Sequence, residues 1–270
     1  MPGATSPDPE YVAARRVLLD ALDALSAHRR SVVLVGAQAI YIHVGEGDLA
    51  VSPYTTDGDL AIDPRELDDE PALAATLQAA GFHLAVRPGT WSMSDVQIDL
   101  LVPASLGGSG RRGARLGAHG KEVARKASGL EAAVVDNALH RIGALDPADV
   151  RSFDVAVAGV ASLLIAKLHK IAERKDSVDR LKDKDGLDVL RLLRFAETEH
   201  LAGTLLKLTQ HPIAGKVTQE ARTFLDDLFG HRDAPGAQMA ARASVGLEDE
   251  SAIRVSCEAL ARRLLGAWKP

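Results

Sequence analysis

Two aspartates separated by one residue, Asp57 and Asp59, are the side chains of this chain with the clearest chemical potential. Alternate side chains of an extended strand point to one face, so both carboxylates would project together. Two like charges this close repel each other, and solvent, a shared proton or a bound cation normally relieves the repulsion. The spacing therefore favours a divalent metal site on this strand.

A later segment could supply a third carboxylate. Residues 95–103 alternate in polarity and then become continuously apolar, as expected for a strand that enters a core, and Asp99 lies at the transition. If this strand neighbours the first one, Asp99 converges with Asp57 and Asp59. Carboxylate oxygens combined with substrate phosphates suit Mg²⁺ or Mn²⁺. Two such ions about 4 Å apart would activate an attacking oxygen and hold a leaving pyrophosphate.

The order of these motifs resembles the DNA polymerase-beta type nucleotidyltransferase superfamily. Within it, the chain is most similar to the AbiEii branch, the toxin components of abortive-infection and type IV toxin–antitoxin systems. The resemblance spans roughly residues 30–195, and it rests on Gly36-Ala37-Gln38-Ala39, on Asp57-Gly58-Asp59, on Asp99, on the lysine-bearing segment 166–170 and on the D-x-x-x-L-L-like segment 184–193. In this chain Ala37 replaces a second small residue, and Ser52-Pro53-Tyr54 stands where many relatives carry an arginine.

The resemblance implies transfer of a nucleoside monophosphate from a nucleoside triphosphate to an acceptor, with release of pyrophosphate. The implied acceptors are a tRNA end or another RNA, a protein hydroxyl or a small molecule, and a cognate antitoxin is an implied partner. The implied catalytic residues are Asp57, Asp59, Asp99 and Asp188, of which the first three are also the metal ligands. The implied nucleotide-binding residues are Gly36, Ala37, Thr56, Lys167 and Lys170.

A basic segment follows the Asp99 strand. The net charge of −5 argues against indiscriminate nucleic-acid binding, yet residues 111–126 contain only one acid, Glu122. This segment could bind RNA or triphosphate beside the metal site. The candidate RNA-binding residues are Arg111, Arg112, Arg115, Lys121 and Arg125. The alternative is a solvated face that balances nearby acids.

Composition and missing motifs exclude several classes of protein. A chain of 270 residues that is 46% hydrophobic suits a globular protein of two packed units. It has neither a run of membrane-spanning length nor a secretion signal at its start, which predicts no membrane association and a cytoplasmic location. The single cysteine, Cys257, excludes an internal disulfide and is predicted to be a core residue of a helix. Zinc-ligand, P-loop and Rossmann spacings do not occur.

The elements around these motifs predict an α/β (α+β) fold. A nucleotidyltransferase-type mixed sheet flanked by helices would occupy residues 1–158, and a helical domain would occupy 159–270. We expect a helix over 9–28, a strand over 31–35, a short helix over 37–44 and a strand over 153–157. Helices are also predicted after a cap at Asp63, between Pro71 and Gly81, and near 130–141.

Two alternatives to catalysis remain open from the sequence alone. The chain could be a non-catalytic module of the same fold that senses a nucleotide or binds a partner, or it could be a purely structural helical scaffold. Lys167, Lys170 and Arg174 share one side of a predicted helix, and salt bridges to the next helix would explain them without catalysis. Asp183 and Asp185 are expected to be structural.

Overall fold

The described chain begins with a helix, a short 3₁₀ segment and a strand. The computed structural model describes residues 7–45, 54–110, 112–174, 183–246 and 248–269. Helix α1 (Pro9–Ala24) is capped by the Asp8 carboxylate, which accepts from the Glu10 N–H at 2.8 Å. A short 3₁₀ segment (Ser26–Ser31) connects it to strand β1 (Val32–Val35), so the predicted helix over 9–28 ends earlier than expected.

The described strands form one mixed sheet. The strands that follow β1 are β2 (Asp57–Ile62), β3 (His83–Leu84), β4 (Thr90–Met93), β5 (Val96–Pro103), β6 (Arg125–Ala127), β7 (Asn137–Gly143) and β8 (Ser152–Ala158). Their order across the sheet is β3-β4-β5-β2-β1-β8-β7, and β6 pairs with β5 outside that path. β1 is antiparallel to β2 and parallel to β8, and β2 is parallel to β5. The α/β class with a mixed sheet flanked by helices is therefore confirmed.

Helices account for most of the remaining described chain. They are α2 (Gly36–Val44), α3 (Leu73–Ala79), α4 (Val160–Ala172), α5 (Asp183–Phe195), α6 (Thr198–Thr209), α7 (Gly215–Phe229), α8 (Pro235–Ala243) and α9 (Glu250–Ala267). In the part of the chain that the structure describes, no helix is both long and apolar enough to cross a membrane.

The chain divides into two compact units. The described residues of Met1–Tyr41, Ser52–Ala127 and Ala138–Val157 belong to unit 1, which holds nearly all of the sheet. Those of Ile42–Val51, Ser128–Asn137 and Ala158–Pro270 belong to unit 2. The longest stretch of unit 2 begins at Ala158, and its described elements are the helices α4 to α9.

Each unit has its own apolar core. In unit 1, α1 packs on β2 and β5, and Leu18, Leu34, Leu60 and Leu100 are fully buried. In unit 2, α4 packs on α5 and α7, and α9 contributes a buried Cys257 as predicted. Burial raises the pKa of the Cys257 thiol to about 12, as expected for a core cysteine.

Two of the predicted helices are not present. Asp63 caps a turn: its carboxylate accepts from the Arg65 N–H at 3.0 Å and also binds the Arg65 guanidinium, and no helix follows. The alanine-rich segment near 130–141 is a series of turns followed by β7. Gly129 has a φ of 83°, and the Asp136 N–H donates to the Ala132 carbonyl at 2.8 Å, so local turn bonds replace a continuous helix.

Candidate active site

The end of β1 places a glycine against the carboxylate of Asp59. Val35, the last residue of β1, is the register partner of Asp59 on β2, and Gly36 follows with a φ of 71°. A Cβ at Gly36 would lie 2.1 Å from Asp59 Oδ2, closer than any side chain permits. Only glycine fits here, because both the backbone conformation and the space exclude a side chain. The first turn of α2 therefore begins directly beside this carboxylate.

Three aspartates occupy one face of the sheet. Asp59 and Asp99 are register partners on the parallel strands β2 and β5, so the two strands are neighbours as expected. Asp57 precedes Asp59 by two residues and points to the same face. Between them, a Cβ at Gly58 would lie 3.4 Å from Leu18 Cδ1 of α1. Helix α1 therefore covers the opposite face, and the carboxylates lie on the face that points away from α1.

Asp57 is exposed at the start of β2, and polar contacts fix its position. The Thr55 hydroxyl donates to Asp57 Oδ1 at 2.6 Å, and the Gln38 side-chain amide donates to the Asp57 carbonyl at 2.9 Å. Gln38 in turn accepts from Arg15 Nε at 2.8 Å, and both of these side chains are buried. A buried hydrogen-bonded chain thus holds the backbone that presents the first carboxylate.

Asp99 is bound through both of its carboxylate oxygens. The Thr90 hydroxyl donates to Oδ1 at 2.6 Å, and Arg125 Nη2 of β6 forms an ion pair with Oδ2. Thr90 is the register partner of Asp99 on β4, so it shares the face of the sheet that carries the aspartates. The third carboxylate of the face is therefore paired with a cation of this chain.

The donor set fits a magnesium ion that is shared with substrate. Among the described residues, no group of three or more His, Cys, Asp or Glu side chains is arranged to hold a metal ion. Magnesium in phosphoryl-transfer sites is usually bound by one or two carboxylates plus substrate phosphates and waters. Asp57 and Asp59 provide such a pair. Because Gly36 has no side chain, its backbone lies directly against the Asp59 carboxylate. The predicted three-aspartate set, with Asp99 as a ligand, stays a prediction.

The first turn of α2 carries two of the predicted nucleotide-binding residues. Gly36 and Ala37 begin this helix, and the N–H groups of a first turn lack acceptors within the helix. Such N–H groups bind phosphate oxygens well. Thr56 is exposed immediately before Asp57, at the end of the loop that enters β2.

The predicted lysine and aspartate of unit 2 meet in a buried ion network. Lys167 Nζ of α4 contacts Asp185 Oδ1 at 2.6 Å and Asp188 Oδ2 at 2.8 Å, both on α5. Lys170 Nζ approaches Asp185 at 3.1 Å, and Arg191 Nη1 approaches Asp188 at 3.0 Å. All of these residues except Lys170 are buried. The network joins α4 to α5 by charge pairing within unit 2.

Burial and charge act in opposite directions on this network. Burial alone would lower the pKa of Lys167, but the charges of Asp185 and Asp188 outweigh it, so the pKa lies well above the ordinary value. Burial alone would likewise raise the pKa of Asp185, but Lys167 and Lys170 lower it to about 2. The lysine and Asp185 therefore stay ionised at neutral pH.

Asp183 has a separate partner at the start of α5. Arg242 of α8 donates to it through Nε at 2.8 Å and through Nη2 at 2.7 Å. This two-bond fork is the strongest common geometry for an arginine and a carboxylate. The structural role expected for Asp183 agrees with this contact.

The basic segment divides into exposed and half-buried members. Arg112, Arg115 and Lys121 are exposed, whereas Arg125 is half-buried against Asp99. Arg111 lies outside the described residues, as do Ser52 and Pro53. Pairing of β6 with β5 draws the side chain of Arg125 into the sheet face, and its RNA-binding role, like that of the exposed members, stays a prediction.

Sequence reasoning missed several residues that support the site. The sequence did contain an indication for Arg15, because it is a charged residue on the apolar face of α1, beside the buried Ala14 and Leu18. A charge at such a position needs a buried partner, which here is Gln38. Thr90 gave no signal, because its role follows only from the pairing of β4 with β5.

The functional interpretation rests on these contacts and on the order of the motifs along the chain. No family model, no curated protein and no solved structure matches the chain.

Proposed function

We propose that this protein is a metal-dependent nucleotidyltransferase that moves a nucleoside monophosphate from a nucleoside triphosphate to an acceptor. One observation carries the proposal. Strand β1 is followed by the sterically required Gly36, and β2, which runs antiparallel to β1, carries Asp57 and Asp59. Strand β5 runs parallel to β2 and places Asp99 in register with Asp59. This arrangement gathers an anion-binding helix terminus and a carboxylate pair at one end of β1.

Each part of the face has a role in the transfer. The triphosphate lies against Gly36 and the first N–H groups of α2. Asp57 and Asp59 would hold a magnesium ion, which would supply positive charge to the phosphates and the leaving group. The acceptor hydroxyl attacks the α-phosphorus in line, the bond to the bridging oxygen breaks, and pyrophosphate leaves. The hydroxyl proton passes to the carboxylate of Asp99.

The buried ion network of unit 2 is left outside this proposed chemistry. Lys167 and Asp188 are buried and bound to each other, and a phosphate would have to displace a carboxylate to reach the lysine. Breaking a buried ion pair costs several kcal/mol. We therefore assign Lys167, Lys170 and Asp188 to the stability of unit 2, in place of the catalytic and phosphate-binding roles that the resemblance implies.

RNA is the acceptor that the charge distribution favours. Arg112, Arg115 and Lys121 are exposed cations of unit 1 in a segment that follows β5. Phosphate contacts of this kind give binding that weakens steeply with salt. By the same resemblance, the protein acts in the cytoplasm as the toxin of a toxin–antitoxin pair and has a cognate antitoxin as partner.

Pyrophosphate release provides the test of the proposed function. The full chain is incubated with each nucleoside triphosphate, Mg²⁺ or Mn²⁺ and total cellular RNA, and pyrophosphate is measured. We expect release from wild type, loss of at least about a hundredfold in Asp57→Asn, and no release in a chelator. Asp95→Asn is the matched control, because Asp95 is exposed in the turn before β5 and has a φ of 67° that asparagine also adopts. Equal rates in the two variants would refute the proposal.

A non-catalytic module is the second candidate, and the contacts of Asp99 favour it. Its two oxygens are already occupied by Thr90 and Arg125, and no three-ligand group is present among the described side chains. Such a module would bind a nucleotide or a partner without turnover. Saturable binding of a triphosphate with no pyrophosphate release for any of the four nucleotides would select this function.

A further inference from the structure

Arg125 lies on the same face of the sheet as the three aspartates. On the parallel strands β5 and β6, Arg125 is the register partner of Leu101, and Asp99 precedes Leu101 by two residues. Register partners and residues two apart share one face. Arg125 therefore reaches Asp99 along the surface that also carries Asp57 and Asp59. Among the described residues, it brings the one positive charge that contacts Asp99.

The backbone around Arg125 is fixed closely enough to aim this side chain. A Cβ at Gly89 would lie 2.5 Å from the Arg125 backbone nitrogen and 2.6 Å from the Leu100 carbonyl oxygen. The glycine, with a φ of 76°, immediately precedes β4 and lets the backbone of β6 approach β5 closely there. The Arg125 and Asp99 side chains are only 15% and 18% exposed, so water screens their pairing weakly.

The guanidinium of Arg125 is incompletely satisfied by the described residues. Only its Nη2 is bound to Asp99, and its Nε is buried without a hydrogen-bond partner. Arg242, by contrast, uses both Nε and Nη2 on one carboxylate. Arg29 and Arg254 also have an unpartnered Nε, but neither belongs to a strand of this face. A buried cationic donor without an acceptor is costly, and an incoming anion would relieve it.

A polyphosphate is the anion that suits this position. It offers several non-bridging oxygens to the planar fork of an arginine, with more negative charge than one carboxylate. We infer that Arg125 is the triphosphate-binding arginine of the site, held by Asp99 until a polyphosphate replaces that carboxylate. The exchange frees Asp99 at the moment when substrate arrives, so the third carboxylate joins the site only with substrate bound. This inference rests on the proposed function for its substrate class.

The competition between Asp99 and phosphate gives the inference a signature. Equilibrium binding of inorganic triphosphate is measured in a chelator and in Mg²⁺ for wild type, Arg125→Gln, Asp99→Asn and the double variant. Arg125→Gln should bind roughly tenfold more weakly, because one charged fork is lost. Asp99→Asn should bind several-fold more tightly than wild type in the chelator, because the competing carboxylate is gone. The double variant should bind no more tightly than Arg125→Gln.

Controls separate this exchange from a structural ion pair. Arg141→Gln removes an exposed arginine that pairs with Asp154 at 3.3 Å in the same unit, and it should bind triphosphate as wild type does. Arg125→Lys keeps the charge without the fork and should bind with intermediate affinity. Thermal unfolding of each variant identifies any that fail to fold. A purely structural pair predicts that Arg125→Gln and Asp99→Asn affect binding in the same direction.

The outcomes for binding and for transfer are distinguishable. Triphosphate binding that depends on Arg125, without pyrophosphate release, would support the role of Arg125 and contradict the proposed transfer activity. Pyrophosphate release with unchanged triphosphate binding in Arg125→Gln would support the transfer activity and overturn the role of Arg125. Failure of wild type to bind triphosphate, or weaker binding in Asp99→Asn than in wild type, would also overturn it.

Discussion

Aspartates gather on the sheet of unit 1 and on helix α5 of unit 2, and their surroundings differ. Asp188 on α5 is 0% exposed and lies between the side chains of Lys167 and Arg191. Asp57 on β2 is exposed, and a threonine hydroxyl donates to it. The helical aspartate is thus surrounded by cations of its own unit, whereas the strand aspartate faces solvent beside other acids.

This difference separates structural charge from charge that a ligand can use. A fully buried carboxylate such as Asp188 is tolerated only when cations neutralise it, and such a pair cannot release its partner at low cost. The pair of Arg125 with Asp99 differs, because both side chains keep some exposure and Arg125 Nε has no hydrogen-bond partner. An exposed carboxylate that lies beside other acids is repelled by them, and a cation that binds there can relieve the repulsion. Residue type and spacing alone make both sets resemble catalytic motifs, and only burial and partners distinguish them.

The largest expected effect is on the stability of unit 2. Asp188→Asn should lower the free energy of unfolding by about 3–5 kcal/mol, because Lys167 and Arg191 stay buried with one anionic partner fewer. Urea unfolding followed by circular dichroism measures this change.

Asp154→Asn is the control for this prediction, since its pair with Arg141 is exposed on both sides (60% and 66%) and should contribute less than about 0.5 kcal/mol. A loss below about 1 kcal/mol in Asp188→Asn would show that the network is not the structural centre of unit 2. Asp188 would then not differ in structural role from the aspartates of β2.

Strand alternation and a glycine turn were enough to predict much of the site. Asp57 and Asp59 share a face because two residues of one strand must, and Gly36 marks the end of β1 because no other residue fits beside Asp59. The apolar pattern after Asp99 likewise predicted strand β5, whereas its place beside β2 was only the condition under which the three carboxylates would converge. The strand and turn predictions succeeded because they depend on local geometry.

Contacts between distant segments were beyond such reasoning. Arg125 was predicted as one member of a basic segment, and nothing in the sequence indicated that pairing of β6 with β5 half-buries it against Asp99. The segment near 130–141 has a helical composition, yet Asp136 accepts from the Ser162 N–H in the first turn of α4 and holds the segment in turns. Tertiary contacts override local propensity in both places.

A smaller effect concerns the acid stability of the same network. The folded pKa of Asp185 is about 2, below its ordinary value near 4, so its contribution is complete above pH 4 and is lost as the pH falls towards 2. That contribution should be about 2 kcal/mol at neutral pH.

Urea unfolding at a series of pH values measures the contribution. Between pH 4 and pH 2, wild type should lose about 2 kcal/mol more stability than Asp185→Asn does. Asp154→Asn, which makes the same change in charge at an exposed position, should follow the wild-type curve. Parallel curves for wild type and Asp185→Asn would mean that Lys167 and Lys170 do not hold this carboxylate ionised.

The smallest expected change in stability belongs to the strand aspartates and completes the contrast. Asp57→Asn should leave the free energy of unfolding within about 0.5 kcal/mol of wild type, because the side chain is exposed and asparagine can still accept from Thr55. Any shift should be stabilising, since the change removes one of two like charges on a single strand face. Thermal and urea unfolding measure it in the same preparation that is assayed for pyrophosphate. A variant that is both inactive and several kcal/mol less stable would place Asp57 among the structural carboxylates, whereas full stability with lost transfer separates the β2 pair from those of α5.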